Sequence, residues 1–177
     1  MTKIIETERL ILREIVATDV TDLFAMDRLP EVHKYLGNQP KLNLTAVEED
    51  IKHIQRQYAE NGIGRWAVIE KKSQQLIGWS GLKFYTQPMN QHTNFYELGY
   101  RFHPQAWGKG FATESARAWL DHGFEQMQLT TIFAMTEPAH QASQKVLTKV
   151  GFQYIETFID DEYGATTWYK INSADRK

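Results

Sequence analysis

The feature that most constrains this chain is a strand, a glycine turn and a helix in direct succession. Residues 95–102 (FYELGYRF) are rich in aromatic side chains and predict a β-strand. Pro104 ends this strand because proline has no amide proton for a ladder. The helix begins at or just after Gly108-Lys109-Gly110, here called the glycine turn. Beyond the turn, apolar residues recur at helical spacing: Ala112, Ala116, Trp119, Leu120, Phe124 and Met127.

The glycine turn leaves its backbone amides open to a ligand. Glycine has no β-carbon, and the first turn of a helix presents unpaired N–H groups and the positive end of its dipole. A phosphate could bind there, although Gly-x-Gly also serves as a plain tight turn before a helix, and these residues alone do not decide. Two specific nucleotide sites are excluded. Thr113 stands where a dinucleotide fingerprint has its third glycine, and no P-loop Gly-Lys-Ser/Thr occurs.

The size and composition of the chain predict one globular domain covering residues 1–177. With 42% hydrophobic residues it can bury a proper core, and it shows no repeat or linker. The formal net charge of -2 provides no general attraction to nucleic acid or to an anionic membrane, so neither is an expected partner. The charged N-terminus and the lack of a long apolar run lead us to expect a cytoplasmic protein.

The cysteine and histidine content limits which catalytic and metal sites the chain can form. Cysteine is absent, which excludes disulfides, thiolate metal ligands and a cysteine nucleophile. The six histidines show no ligand spacing such as His-x-x-x-His. No metal site is therefore expected.

The remaining chain predicts strands and helices that alternate. Strands are predicted at residues 9–14, 65–70, 75–82, 95–102, 131–136, 152–160 and 166–171. Besides the helix after the glycine turn, helices are predicted from Thr18-Asp19 to Leu29, from about 47 to 58 with a Thr45/Glu48 capping box, and from about 142 to 150. Because hairpins are combined with strand-helix-strand crossovers, the fold class is α+β (mixed α/β), with a mixed, mostly antiparallel central sheet and helices on both faces.

Six segments together resemble the GCN5-related N-acetyltransferase (GNAT) superfamily, and more closely its RimJ/RimL-like branch. The resemblance extends over nearly the whole chain. The set is specific, whereas each segment alone is a weak signal. The segments are residues 6–13, 30–37, 76–78, 97–100, 107–114 and 143–152.

The resemblance implies acetyl-CoA as the acetyl donor. Its pyrophosphate would bind at residues 107–112, and its pantetheine arm would pair with the backbone of residues 100–102 as an added strand does. Trp107 stands where most of the superfamily has glutamine or arginine, as in the RimJ/RimL-like branch, and His140 stands where many relatives have asparagine. The implied coenzyme-binding residues are Tyr100, Arg101, Phe102, Trp107, Gly108, Lys109, Gly110, Phe111, Ala112, Thr113, His140 and Ser143.

The reaction implied by the resemblance is direct attack of an amine on the thioester in a ternary complex. Glu97 is the implied general base, and the alternative that it pairs with a nearby arginine or caps backbone has equal weight. His103 is a further candidate and could equally be a solvated turn residue. The tyrosine that often serves as general acid is Leu147 here, which leaves Ser143 as the second catalytic candidate. A backbone N–H near Phe102 could hold the oxyanion.

The expected function is thus an acetyl-CoA-dependent N-acetyltransferase, acting on a protein N-terminal amine or a small amine as a monomer or homodimer. The alternative is an acyl-CoA-binding module without catalysis, suggested by His140 and the missing tyrosine. A structural protein that kept the fold and lost the cleft is more remote. The acidic turn at residues 160–162 could attract a cationic acceptor or be a plain solvated turn. Glu114 is expected to complement a helix dipole, and Trp119 and Phe124 to lie in the core.

Overall fold

The computed structural model describes residues 4–176, which contain eight β-strands and five α-helices. In chain order these are β1 (Ile4–Glu6), β2 (Leu10–Glu14), α1 (Val20–Asp27), α2 (Pro30–His33), α3 (Leu44–Asn61), β3 (Arg65–Glu70), β4 (Leu76–Tyr85), β5 (Phe95–Phe102), α4 (Phe111–Asp121), β6 (Thr131–Thr136), α5 (Gln141–Lys149), β7 (Gln153–Asp160) and β8 (Gly164–Asn172). A π-helical turn, His122–Gln126, continues α4. None of the helices between residues 4 and 176 is long and apolar enough to cross a membrane.

All eight strands form one sheet in the order β1-β2-β3-β4-β5-β6-β8-β7. Every neighbouring pair is antiparallel except β5 and β6, which run parallel because α4 connects them as a crossover. The predicted mixed, mostly antiparallel sheet is confirmed. Strand β1 was missed, since three residues are too few to show an alternating pattern.

Helices cover both faces of the sheet, as predicted. On one face, Leu82 of β4 and Leu98 of β5 pack in a cluster with Trp119 of α4. On the other, Ala67 and the partly buried Trp79 pack with residues of α1 and α3. Trp119 and Phe124 are buried, which confirms their assignment to the core.

One prediction around the early helices is wrong, and one short helix was missed. Asn43, rather than the Thr45/Glu48 box, begins α3: its Oδ1 accepts a 2.9 Å hydrogen bond from the Ala46 amide, and its extended backbone is the one that an N-cap requires. The helix predicted from Thr18-Asp19 to Leu29 is α1, which ends at Asp27, close to its predicted end. The separate short helix α2 was missed; Pro30 occupies its first position, where the missing N–H costs nothing.

The feature that positions the site is a gap between β5 and β6. In the part of the chain that the structure describes, these strands pair at one position, Glu97 with Phe133, and then diverge. The His103 N–H bonds the Ile77 carbonyl at 2.9 Å and extends the β4–β5 ladder. Because an antiparallel ladder alternates, every second residue of β5 turns its N–H and C=O away from β4. Tyr100 and Phe102 are two such residues, so β5 presents an open edge to the gap.

Candidate functional site

The glycine turn presents a row of unpaired amides at the end of β5. Gly108 and Gly110 have φ angles of 71° and 83°, a left-handed conformation that favours glycine. The first hydrogen bond of α4 runs from the Glu114 N–H to the Gly110 carbonyl, at 3.0 Å. Within residues 4–176, no backbone carbonyl accepts from the N–H groups of residues 108–113. Six consecutive unpaired donors at a helix N-terminus could hold a diphosphate, and this row of amides is called the anion site below.

Arg9 fastens the glycine turn to α4. Its Nη1 donates to the Lys109 carbonyl at 2.9 Å, and its Nε donates to Glu114 at 2.7 Å. The guanidinium also lies 4.6 Å from the centroid of the Phe111 ring. Burial alone raises the pKa of Glu114, but hydrogen bonds from the Thr7 hydroxyl and from Arg9 outweigh it, and the pKa is lowered. The ionised Glu114 therefore holds Arg9 against the turn, besides lying in the first turn of α4 as expected.

Sequence reasoning missed the role of Arg9, which we test by Arg9→Met. We expect this change to lower CoA affinity by about tenfold, because the turn loses its donor to Lys109, and to lower the free energy of unfolding by only about 1 kcal/mol. Calorimetric titration with CoA and urea unfolding measure the two effects.

The matched control is Arg176→Met. Arg176 pairs with Asp121 at the other end of α4 and lies 5.5 Å from the Phe124 ring centroid, away from the glycine turn. It should reproduce the loss of stability without a change in CoA affinity. Wild-type CoA affinity in Arg9→Met would show that Arg9 does not hold the anion site.

Trp107 joins the glycine turn to the end of β5. Its indole Nε1 donates a 2.8 Å hydrogen bond to the Phe102 carbonyl, while 49% of the residue stays exposed. That carbonyl is therefore occupied. The N–H of Phe102 and both backbone groups of Tyr100 remain at the open edge of β5 for an added strand.

Tyr100 bridges the gap from β5 to α5. Its hydroxyl lies 3.1 Å from Ser143 Oγ and 3.2 Å from the Ser143 carbonyl. Burial raises the pKa of Tyr100, with the Ser143 hydrogen bond acting in the opposite sense, so the phenol stays protonated. The structure thus brings two candidate residues together, while Leu147, where a tyrosine was sought, is buried in the core. Sequence reasoning had assigned Tyr100 only through its backbone.

His140 lies at the start of α5, on the same side of the gap as Ser143. Its ring stacks on Tyr35, with centroids 4.4 Å apart and 17° between the planes. Burial lowers the pKa of His140, so its imidazole is neutral at pH 7. The stack joins the segment after α2 to the first turn of α5, a contact between distant parts of the chain that no local pattern indicates.

Glu97 forms a buried ion pair with Arg65 where β5 and β6 begin to diverge. The two side chains are 5% and 12% exposed. Arg65 Nη2 donates to Glu97 Oε2, and Nη1 donates to the carbonyls of Gly81 and Glu97. A β-carbon at Gly99 would lie 2.6 Å from Arg65 Nη2, so only glycine lets the guanidinium cross the strand. The alternative that Glu97 pairs with an arginine is confirmed; its role as base stays a prediction.

Arg101 points toward α1 and away from the glycine turn. Its Nη1 donates to Asp27 Oδ1 at 2.8 Å, and its guanidinium lies 5.0 Å from the Trp79 ring centroid. Arg65 lies 5.4 Å from the same ring. Asp27, Arg101, Trp79, Arg65 and Glu97 therefore form a continuous row on the α1 face. The structure does not bring the Arg101 side chain together with the other predicted coenzyme residues.

Two clefts border the glycine turn. One, of about 360 Å³, is lined by Lys109 and Phe111 together with His103 and residues of α1 and the β3–β4 turn. The other, of about 740 Å³, lies between β1 and α4 and includes Gly110 and Thr113. Both sides of the turn are thus open to a ligand larger than a phosphate.

Comparisons with known proteins agree with this geometry. Residues 9–153 match the family model described as an acetyltransferase (GNAT) domain. The chain is 33% identical over 156 residues to the uncharacterized N-acetyltransferase YoaA of Bacillus subtilis (strain 168), covering 86% of this chain and 84% of YoaA.

Solved structures share the fold. A GNAT-family acetyltransferase from Bacillus anthracis superposes with a TM-score of 0.78 at 24% identity, covering 96% of this chain and 98% of that one. RimL, a ribosomal L7/L12 alpha-N-protein acetyltransferase solved in complex with coenzyme A, superposes with the same TM-score of 0.78 at 15% identity, covering 96% and 98% of the two chains.

Proposed function

Since this chain belongs to the GNAT family of acetyltransferases, we propose that it transfers the acetyl group of acetyl-CoA to a primary amine by direct attack in a ternary complex. In this proposal the enzyme belongs to the RimJ/RimL-like branch of the family. Its acceptor is a protein N-terminal amine or a small amine. The likeness to RimL, which acts on an α-amine of a ribosomal protein, supports that placement.

One observation carries the proposal: the anion site and the open edge of β5 lie at the same end of the same strand. A molecule with a diphosphate at one end and an amide-containing arm fits this arrangement. Its phosphates meet the amides of residues 108–113, and its arm meets the backbone of Tyr100 and the Phe102 N–H. Acetyl-CoA has this form, and its thioester supplies the acyl group when it is bound.

The residues at the gap take complementary roles in the proposal. Glu97 Oε2 is held by Arg65, which leaves Oε1 to orient the amine or to accept its proton through water. On the α5 side, the paired hydroxyls of Tyr100 and Ser143 are placed to donate a hydrogen bond toward the departing sulfur.

Calorimetric titration with acetyl-CoA and, separately, CoA tests the donor site. Release of free thiol in the presence of peptides with free N-termini, polyamines and aminoglycosides then tests transfer. Binding of both coenzyme forms and thiol release with at least one amine are expected. Absence of binding at millimolar coenzyme would contradict the proposal.

Replacing Glu97 by glutamine tests its role in turnover. Glutamine keeps the size of the side chain and can still accept from Arg65, so CoA affinity should change by less than about twofold, while kcat should fall by about 10²-fold as for loss of a placed base. Steady-state rates, CoA titration and urea unfolding on the same variant separate the effects. Unchanged kcat with reduced stability would assign Glu97 to structure alone.

A second candidate, a coenzyme-binding module without catalysis, is favoured by two specific observations. Glu97 is tied to Arg65, and Leu147 occupies the position of the usual phenol. This candidate predicts CoA binding of ordinary strength with no thiol release over the same panel of amines. The two candidates therefore predict the same result in the binding assay and opposite results in the transfer assay.

A further inference from the structure

Lys83 is a half-buried ammonium next to the proposed site. It lies on β4 directly opposite Glu97 of β5, so both side chains leave the sheet on the same face. Its Nζ is 4.2 Å from the centroid of the Tyr85 ring. Within residues 4–176, no group hydrogen-bonds or ion-pairs with this nitrogen. Withdrawing a cation from water without a counter-charge is costly.

The charges around Lys83 do not supply that counter-charge. Burial and the positive Arg65 lower the pKa of Lys83, and the opposing effect of Glu97 and Glu162 offsets this only in part. Glu97 is already engaged by Arg65. Glu162 lies on the β7–β8 turn beside Tyr163, where burial and this carboxylate raise the pKa of Tyr163 to about 12. The ammonium therefore keeps its capacity to bind an anion.

The acidic turn at residues 160–162 offers less to a cationic acceptor than its sequence indicates. Asp160 Oδ1 accepts 2.9 Å hydrogen bonds from the amides of Glu162 and Tyr163, so this carboxylate closes the turn. An acceptor with a second positive charge would also meet Arg65 and Lys83 on the sheet beneath. Positive charges on the sheet beside the negative charges of the turn suit an acceptor that carries both signs of charge.

We propose that Lys83 binds an anionic group of the acceptor, which makes the acceptor an amine that also carries a carboxylate. This inference rests on the proposed function, because it takes Glu97 as the place of the reacting amine. The Lys83 Nζ lies over the ring of Tyr85, two residues farther along β4 and away from the glycine-turn end of the sheet, so the carboxylate lies farther from the coenzyme than the amine does. A peptide whose first residue is glutamate carries an amine and a carboxylate on one residue.

Two peptides that differ in one group test the proposal: Glu-Ala-Ala amide and Gln-Ala-Ala amide. The wild-type protein should acetylate the glutamate peptide with kcat/KM at least about tenfold higher, as expected for one charge-assisted hydrogen bond. Lys83→Met should abolish this preference, and Lys83→Arg, which keeps the charge, should retain most of it. Thermal unfolding establishes that each variant is folded.

Titration of the CoA-loaded protein with the same peptides provides a readout independent of turnover. Tighter binding of the glutamate peptide by the wild-type protein, lost in Lys83→Met, supports the role of Lys83 even if no peptide is acetylated. A lack of acetylation would contradict the proposed transfer reaction but not the role of Lys83 in binding. The inference would be overturned by any of three results. These are equal affinity and kcat/KM of the wild-type protein for the two peptides, no binding of the glutamate peptide, or a preference for that peptide that survives Lys83→Met.

Discussion

Replacement of Gly108 by aspartate is expected to weaken CoA binding at least a hundredfold while the protein stays folded. A β-carbon at Gly108 would meet no atom within 4 Å, and aspartate tolerates the left-handed φ of 71° better than most residues. The new carboxylate would face a phosphate held by the amides of residues 108–113. Two like charges about 4 Å apart repel by about 4 kcal/mol at an effective dielectric of 20. Calorimetric titration with CoA measures the loss.

Gly108→Asn is the matched control, since asparagine has the same shape and the same tolerance of positive φ but no charge. It should bind CoA within about fivefold of wild type, because only small backbone strain is added. The affinity of the aspartate variant should also recover partly in high salt, which screens the repulsion. Equal affinities for the two variants would show that no phosphate lies at this turn.

Much of the fold was predictable because its signals are local. The strand at residues 95–102 and the glycine turn after it have the positions that the sequence predicted. The π-helical turn that continues α4 ends at Gln126, next to Met127, where the apolar pattern ends. The predicted cap at Thr45 failed for a local reason as well. Asn43 and Thr45 are both competent capping residues, and the choice depends on which one has extended backbone.

The contacts that build the site were not predictable because they join residues far apart in sequence. Arg65 reaches Glu97 only after the register of β3, β4 and β5 places Gly81 and Gly99 side by side. Tyr100 reaches Ser143 only because β5 and β6 diverge. A search for a phenol along α5 could not find one that comes from the opposite strand. The sequence therefore predicted candidate residues for the site from their type and charge. The register of the strands determines which of these residues are in contact.

Arg65→Met is expected to lower the free energy of unfolding by about 3–5 kcal/mol, the cost of removing one partner of a buried ion pair. Glu97 would keep a charge that is 5% exposed and would lose its ion-pair partner, and the carbonyls of Gly81 and Glu97 would each lose a donor. The aliphatic stem of methionine preserves most of the packing against Trp79. Urea unfolding measures the change.

The double variant Arg65→Met/Glu97→Gln separates charge from packing. Removing both charges should recover about 2 kcal/mol or more of the lost stability, because replacing a buried pair as a whole is often nearly neutral. A double variant no more stable than Arg65→Met would mean that the lost backbone hydrogen bonds and packing, not the stranded carboxylate, set the cost. Recovery of stability, with kcat no lower than in Glu97→Gln, would show that Arg65 acts through the fold and that the Glu97 carboxylate has a separate role toward the acceptor amine.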